Sequence, residues 1–527
     1  MAGGIIQLVA YGIEDLYLTA NPQVTFFKIV YRRHTNFSIE SIKQQFSLEP
    51  NFGIKSSCIV SRLGDLAGRT YIHLRLPPVP KFIDPETGCE DPFKKFAWVE
   101  NIGYALVKEV TLEIGGKMVD RRYGEFFYIW SQLAERQPIG LDKMIGNVPE
   151  IYEFSNGKPS FDIYVPLDFW FTKNSGLNMP LASLSSSDVK IGVTFRDLSE
   201  CYRIGPTNSI EIVEDIVLFK EGDYIEQEIN GQKIYGYYMG FDFVEKKLMY
   251  LKIRNSELTH FEAPVHNGRS RVSSVMYRIK SSIVPSIYCT PCSEEEYEST
   301  QIGPLNILEG TFYIDYVYLD VEERAKFHRF HQEYLVTQLQ SNFSIGIQNT
   351  HYKQQLSLIN PCSEHLFVAQ LDHLVGPRTI NDLFNYTDSP VRLPRIPVPT
   401  YPGSYIPISP FNNRLFLGAG LIRDAVMYLG GEKLFPDRNS IYFNNLVPYE
   451  HHYRGPVIGI NALSFSLFPE DLVQPSGTCN MTAIDDISMN MSLGKAVTEF
   501  NQCSIRSYTI NLNVFRVLFG LGGIAFT

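Results

Sequence analysis

The sequence predicts an all-β protein built from two homologous β domains in tandem, and three observations carry that prediction. The first is composition: 31 Pro, 38 Gly, 31 Tyr and 35 Phe among 527 residues, with short alternating apolar runs throughout. Such usage suits many strands joined by many turns. The second is a hairpin-like stretch, Val110 to Arg122 (VTLEIGGKMVDRR), that returns at Ala425 to Arg438 as AVMYLGGEKLFPDR. In both copies alternating apolar residues run into Gly-Gly, then a Lys, an apolar residue and an Asp-Arg pair. Gly tolerates the positive φ of tight hairpin turns, so Gly-Gly between two such runs marks a turn. The third is that the flanks repeat in the same order. A proline-rich block precedes each copy (Pro77 to Pro92, Pro390 to Pro410), and NIGYALVKEV is echoed by LGAGLIRDAV. Downstream, Tyr164 to Phe195 is echoed by Phe465 to Leu493. The offset is 315 residues at Gly-Gly (115 to 430) and 301 at Ser-Gly (175 to 476), a drift that loop lengths explain. A period this long excludes a solenoid and indicates a duplicated domain.

Length and charge bound the rest. A chain of 527 residues exceeds one core and suits two to four domains. With 44% hydrophobic residues it packs real cores, and global disorder is excluded. The net charge of −10 argues against a large nucleic-acid footprint, which needs clustered Lys and Arg. Tyr31-Arg32-Arg33-His34 is the best local basic cluster and reads as an exposed strand end. Eight scattered Cys do not make a disulfide scaffold. The opening residues lack the basic start and cleavage site of a secretory signal, and no apolar run spans a bilayer. These features suggest a soluble chain made in a reducing cytosol.

The elements follow in order. Residues 1–26 read as an apolar arm that must pack on its own domain or on a neighbour. FFKIVYRR, SIESIKQQF, SCIVSRL and TYIHLRL read as strands, followed by the first proline block and the hairpin. EFFYIWSQLAER is the one convincing helix, with Phe126, Ile129, Trp130 and Leu133 at i, i+3, i+4 and i+7. FDIYVPLDFWF and VKIGVTF return to strands. Residues 201–310 have no counterpart in the second half. They hold 11 Lys and Arg against 16 Asp and Glu, half the net charge, and read as an inserted β unit with an Asn230-Gly231 turn. TFYIDYVYLD should close the first domain, near or paired with VKIGVTF, and a helical turn leads into the strands of the second.

No motif makes a catalytic site. Cys289-Thr-Pro-Cys292 is the only CxxC, and no second Cys/His pair completes a zinc set. His328 and His331 have helical ligand spacing but sit among Arg and Glu, as on a solvated face, and His451-His452 is read the same way. Glu294-Glu295-Glu296 and Asp485-Asp486 read as solvated loop carboxylates without calcium-loop spacing. Asn36, Asn342, Asn385, Asn480 and Asn490 begin sequons that are incidental without a secretory signal. Catalytic, cofactor and metal residues are therefore all expected to be absent.

The opening MAGGIIQLVAYGIEDLYLTANPQVTFFKIVYRRHTNFSIESI resembles the start of major capsid proteins from nucleocytoplasmic large DNA viruses of the chlorella-virus, iridovirus and mimivirus types. The resemblance continues through SRLGDLAGRTYIHLRLP, LEIGGKMVDR, YVPLDFWFTKNSGLNMPLASL, YVYLDVEERAKFHRFHQEYLVTQLQ, QPSGTCNMTAIDD and NVFRVLFGLGGIAF. It implies a double jelly roll, each roll an eight-stranded sandwich of two sheets. It implies homotrimers whose six similar units give a near-hexagonal capsomer that tiles an icosahedral shell. The expected division is an arm at 1–26, a first jelly roll at 27–327 interrupted by an outward-facing insertion at 201–310, and a second at 328–527. The implied partners are further copies of the chain, minor capsid and vertex proteins, and an internal membrane near the arm, with no direct nucleic acid. The implied location is the virion, assembled in the host cytoplasm. The insertion is longer than in simpler family members, so its role does not carry over. Two other readings compete: a lectin or glycan-cleaving jelly roll, which as a glycosidase needs two facing carboxylates, and a minor or vertex capsid protein of the same lineage, of which vertex proteins are commonly single jelly rolls, so that the duplication favours the hexagonal capsomer.

Overall fold

The computed structural model describes residues 34–84, 87–135, 138–229, 232–253, 261–262, 277–297, 302–376, 380–391, 418–471 and 474–526, with short pieces at 10, 20–21, 396–397 and 405–406. Nearly all of the arm expected at 1–26, Tyr31 to Arg33 of the basic cluster, the Asn230-Gly231 turn and much of the second proline block lie outside the described residues.

Eight strands build the first sandwich: β1 (Phe37–Gln45), β2 (Lys55–Ile59), β3 (Leu66–Leu76), β4 (Val107–Ile114), β5 (Lys117–Tyr123), β6 (Phe161–Pro166), β7 (Val189–Phe195) and β8 (Glu309–Leu319). They pair in the orders β1-β8-β3-β6 and β2-β7-β4-β5. The second half supplies β9 (Gln332–Ile347), β10 (His351–Leu356), β11 (Pro361–Leu371), β12 (Ile422–Leu429), β13 (Glu432–Lys433), β14 (Asn461–Ser464), β15 (Ile487–Leu493) and β16 (Cys503–Leu518). These pair as β9-β16-β11-β14 and β10-β15-β12-β13. Adding eight to each label of the first sandwich yields the second, so the duplication read from the hairpins is a duplication of topology. A last strand, β17 (Leu521–Ile524), turns back onto β16.

Both Gly-Gly pairs are the turns expected of them. Gly115 and Gly116 sit at φ 59° and 78°, and Gly430 and Gly431 at 61° and 84°. Each pair closes a hairpin directly, Ile114 opposite Lys117 and Leu429 opposite Glu432. The two proline blocks also occupy equivalent places, between β3 and β4 and between β11 and β12. The helix α1 (Gly124–Ala134) starts straight off β5 and buries Phe126, Ile129, Trp130 and Leu133. Its first residue has to be Gly: a Cβ there would run into the carbonyl oxygens of Val107 and Tyr104. The connector α2 (Val321–Arg329), capped by Asp320, joins β8 to β9.

VKIGVTF (β7) and TFYIDYVYLD (β8) do not pair; they lie in opposite sheets of the first sandwich. Between them runs a separate seven-stranded antiparallel sheet, in the order 288–289, 279–281, 224–229, 232–242, 247–253, 208–212 and 291–296. It has its own apolar core around Ile210, Ile225, Ile234, Leu248, Tyr250 and Ile279. Its two ends return to one place on the sandwich. Gly53 N donates to Arg196 O at 3.0 Å, and the Asn51 amide donates to Asn306 Oδ1 at 2.8 Å. Residues 309 and 310 belong to β8, not to the inserted unit. The inserted sheet also rests on the second sandwich, whose core includes Tyr224 and Ile253. Because Gln45 pairs with Thr311 near Asn51 and Phe37 with Leu319 at the far end, β1 begins at the end opposite the inserted sheet.

Candidate assembly surface

The two sandwiches share a continuous core, and α1 is the element that joins them. Its Phe126 ring meets Tyr508 of β16, β5 runs against β9, and Val336, Leu339, Leu366, Val368, Tyr508 and Ile510 fall in the apolar cluster of the first sandwich. Polar groups fix the register. Asp120 Oδ1 accepts from Leu339 N at 3.1 Å, and the Gln338 amide donates to Val119 O at 2.5 Å. Arg122 lies between Asp120 and the Phe126 ring, its Nε 3.0 Å from Asp120 Oδ2. Asp120 belongs to the Asp-Arg pair of the repeated hairpin.

At the start of α1, Glu125 projects into the second sandwich. Its carboxylate accepts from Tyr508 at 2.5 Å and from Tyr386 at 3.0 Å, and pairs with Arg506 Nε at 2.6 Å. Burial works against the Arg506 charge, but Glu125 outweighs it and holds the guanidinium above its ordinary range. A second charged group lies farther along the helix, where Trp130 presents its ring edge-on to His452 at 6.4 Å. The His452 side chain is fully buried, with Nε2 donating to Glu364 at 2.5 Å and Nδ1 to Glu470 at 2.9 Å. Desolvation alone lowers an imidazole, yet the two carboxylates prevail and raise His452 to about 9. Reading His452 as part of a solvated face is thus wrong: its ring is an internal cation clamped by carboxylates from two other segments.

Glu294 corrects a second reading. Two of its run, Glu295 and Glu296, are exposed, but Glu294 is buried. It accepts from Tyr250 at 2.7 Å, Asn208 at 2.8 Å and Phe261 N at 2.6 Å, which places it as a structural acceptor inside the inserted sheet. His328 is exposed on α2, His331 meets the Phe519 ring edge, and Asp485 and Asp486 are exposed. Cys289 is buried and Cys292 exposed. Asn385 is buried and hydrogen-bonded, out of reach as a sequon acceptor. Among the described residues no group of His, Cys, Asp and Glu has the arrangement of a metal site, and no helix is long and apolar enough to cross a membrane. The seam residues escaped the sequence reading because their partners lie on other elements, hundreds of positions away for Glu125 and 88 for the His452–Glu364 pair. The one local signal was a Glu inside an aromatic helical stripe.

The duplicated topology makes the seam's counterpart identifiable. In the second sandwich the segment that follows the repeated hairpin is Tyr442–Leu446, a π-helical turn, and Val447–His451, an α-helical one. Where α1 is buried, this segment buries Phe443, Asn444, Val447 and Pro448 and leaves an apolar flank exposed: Tyr449 is 86% exposed, and Ile441, Leu446 and Tyr453 are exposed beside it. The Asp-Arg pair differs in the same way. Asp120 is buried in the seam, whereas its counterpart Asp437 is exposed and pairs with Lys433 nearby. The face equivalent to the one that receives α1 is the outer face of β1 and β8. It presents Phe37 and Ile39, 53% and 60% exposed, beside Lys43 and Tyr313. Among the described residues, then, one such seam is closed within the chain and the two surfaces equivalent to its halves are exposed.

Comparison with known proteins places this architecture. Residues 25–248 match the family model of the major capsid protein N-terminus, and residues 323–523 that of the large eukaryotic DNA virus major capsid protein. Over its whole length the chain is 50% identical to "Probable capsid protein 4" of Acanthamoeba polyphaga mimivirus, covering 99% of that protein. It is 29% identical to the major capsid protein of Phaeocystis pouchetii virus, with both chains fully covered. Among solved structures, the chain in the quasi-atomic model of the PBCV-1 virus capsid superposes with a TM-score of 0.60 at 21% identity, over 95% of this chain and all of that one. The Faustovirus major capsid protein superposes with a TM-score of 0.63 at 12% identity, over 96% and 94%. The last two likenesses concern the fold, a double jelly roll. The full-length relation to the mimivirus protein settles the kinship: this chain belongs to the major capsid proteins of the large eukaryotic DNA viruses, the structural proteins of their virion shells.

Proposed function

We propose that the chain assembles as a homotrimer in which each second sandwich docks on the first sandwich of the next copy. The segment 441–453 would then lie on the outer face of β1 and β8, as α1 lies on β9 and β16. The observation that carries this is the open pair of surfaces on a chain whose equivalent pair is closed internally. A contact that repeats a head-to-tail relation closes a ring when the rotation allows. Three copies of two similar sandwiches give six units around one axis, a near-hexagonal outline suited to tiling an icosahedral shell. The inserted sheet faces outward in this arrangement, and the start of β1, at the opposite end, puts the preceding arm toward the shell interior. There it would meet minor capsid proteins or an internal membrane, while vertex proteins fill the five-fold positions.

A permanent interface of this kind buries more than ~2,000 Å². Native mass spectrometry of the purified protein is expected to show three copies. Ile39→Asp and Tyr449→Asp, one on each half of the open seam, are each expected to give folded monomers. A monodisperse wild-type monomer at micromolar concentration, with its melting transition intact, would refute the trimer.

A further inference from the structure

Strand β11 has a second, short neighbour besides β14. Pro361 and Cys362 stand opposite Asn480 and Cys479 of a two-residue antiparallel strand, so the two cysteines are direct cross-strand partners. Directly opposed residues have Cα atoms ~4.5–5.5 Å apart and side chains on one face. A disulfide spans Cα separations of ~4.4–6.8 Å. Both side chains also meet the same apolar cluster of the second sandwich: Cys362 is fully buried within it, and Cys479, half-buried, packs against it. Among the described residues no other two cysteines are register partners; Cys58 faces Ile191, Cys289 faces Ile279, and Cys503 faces Leu371 and Ile347. Both are thiols here. The Cys362 Sγ–H points to the carbonyls of Ile359 and Asn360 at 3.6 and 3.5 Å, weak contacts that are lost at little cost.

We propose that Cys362 and Cys479 form a latent disulfide, open while the chain folds under reducing conditions and closed once the virion meets an oxidising medium. The oxidant is a small-molecule disulfide such as oxidised glutathione, and the chemistry balances in two exchanges. The more accessible Cys479 thiolate attacks one glutathione sulfur, forming a mixed disulfide and expelling one glutathione thiolate. The Cys362 thiolate then attacks the Cys479 sulfur, closing the protein disulfide and releasing the second glutathione thiolate. The protein gives up two electrons and two protons, and the oxidant becomes two thiols. Burial, with Cys479 adding to it, pushes the Cys362 thiol up to about 12, so the second exchange is slow at neutral pH and quickens as pH rises. Closure ties the segment after the exposed Leu467-Phe468 loop to a strand inside the sheet, and bridges at virion surfaces persist once formed. It also shortens the unfolded chain's free length between 362 and 479, which stabilises the native state.

The test uses the full-length protein with oxidised glutathione as the probe, followed by alkylation, peptide mapping and thermal melts. The expected result is a peptide linking Cys362 to Cys479, reversed by dithiothreitol, with a melting temperature several degrees above that of the reduced protein. Cys479→Ser and Cys479→Ala are expected to melt like the reduced wild type and to gain nothing from the oxidant. Recovery of both cysteines as free thiols after exhaustive oxidation overturns the proposal. So does a linkage confined to other cysteines, such as the exposed Cys89 and Cys292, or a gain in melting temperature that survives in both Cys479 variants.

Discussion

Removing the Glu125 carboxylate would leave the Arg506 guanidinium and two tyrosine hydroxyls facing each other without their shared acceptor. Breaking one side of a buried ion pair costs about 3–5 kcal/mol, because the remaining charge is uncompensated. Glu125→Gln is therefore predicted to lower the unfolding free energy by about that amount in urea titrations. Adding Arg506→Met should restore part of the loss; a double variant weaker than Glu125→Gln by the full Arg506→Met effect would show that the two do not couple. His452 makes a pH-dependent prediction. Its folded pKa, about 9, lies above its ordinary 6.5, so its stabilisation is complete below about 6.5 and fades as pH rises through 9. That shift corresponds to roughly 3 kcal/mol. Lys173 gives the opposite slope, since burial pulls its ammonium below the ordinary range, opposed by the Asp168 carboxylate at 2.6 Å. The readout is therefore the difference between wild type and His452→Gln, which should shrink from pH 6.5 to 9.5; a difference independent of pH would show that the imidazole is neutral. Neither site was legible in the sequence. Glu125 meets Arg506 across 381 positions, and His452 reaches back 88 positions to Glu364 and forward 18 to Glu470, so no helical or strand spacing records the pairing.

The hairpins, by contrast, were legible because a tight turn is a local event. Gly-Gly, the alternating runs and the period of α1 each fix their element within a dozen residues, and the structure places all three as read. Two glycine substitutions separate kinds of constraint. Gly115→Ala faces only the strain of positive φ and a Ser187 hydroxyl at 3.1 Å, and should cost about 1 kcal/mol. Gly124→Ala would set a methyl against the backbone carbonyls of Tyr104 and Val107, where the chain enters β4. It is predicted to be far more damaging, with little folded protein recovered. Equal melting temperatures for the two variants would mean that α1 can shift away without consequence. The sequence left β7 and β8 near or paired, and the structure sets them in opposite sheets of one sandwich. Two strands that flank an insertion look adjacent in the chain's pattern, but most consecutive strands here pass between sheets, the Gly-Gly hairpins excepted, and alternation alone does not say which sheet a strand joins.

For the whole molecule, the duplicated β architecture follows from the long-range repeat, which survives as ordered landmarks even where individual residues have changed, and the family follows from the motif resemblance that runs through both halves. The relation of the sandwiches does not, since the packing of α1 on β9 and β16 is a property of two surfaces and not of either sequence alone. The inserted sheet tests where the molecule's essential frame ends. Both of its ends meet Asn51 and Gly53, and its core is its own, yet Tyr224 and Ile253 also touch the second sandwich. Replacing residues 201–305 with a short Gly-Ser linker is predicted to leave trimers that melt at lower temperature. A chain that no longer folds would show that the inserted sheet is part of the frame.

That the inserted sheet leaves and rejoins the sandwich at one turn also makes the site a socket. The strands on either side keep their register whatever is plugged in, provided that its termini lie as close together as Arg196 and Asn306 do beside that turn. Under the proposed trimer, a fluorescent protein or an epitope seated there would be repeated at every capsomer. Plain and cargo-bearing copies would mix within one shell, because the surfaces that tile it belong to the two sandwiches and not to the load.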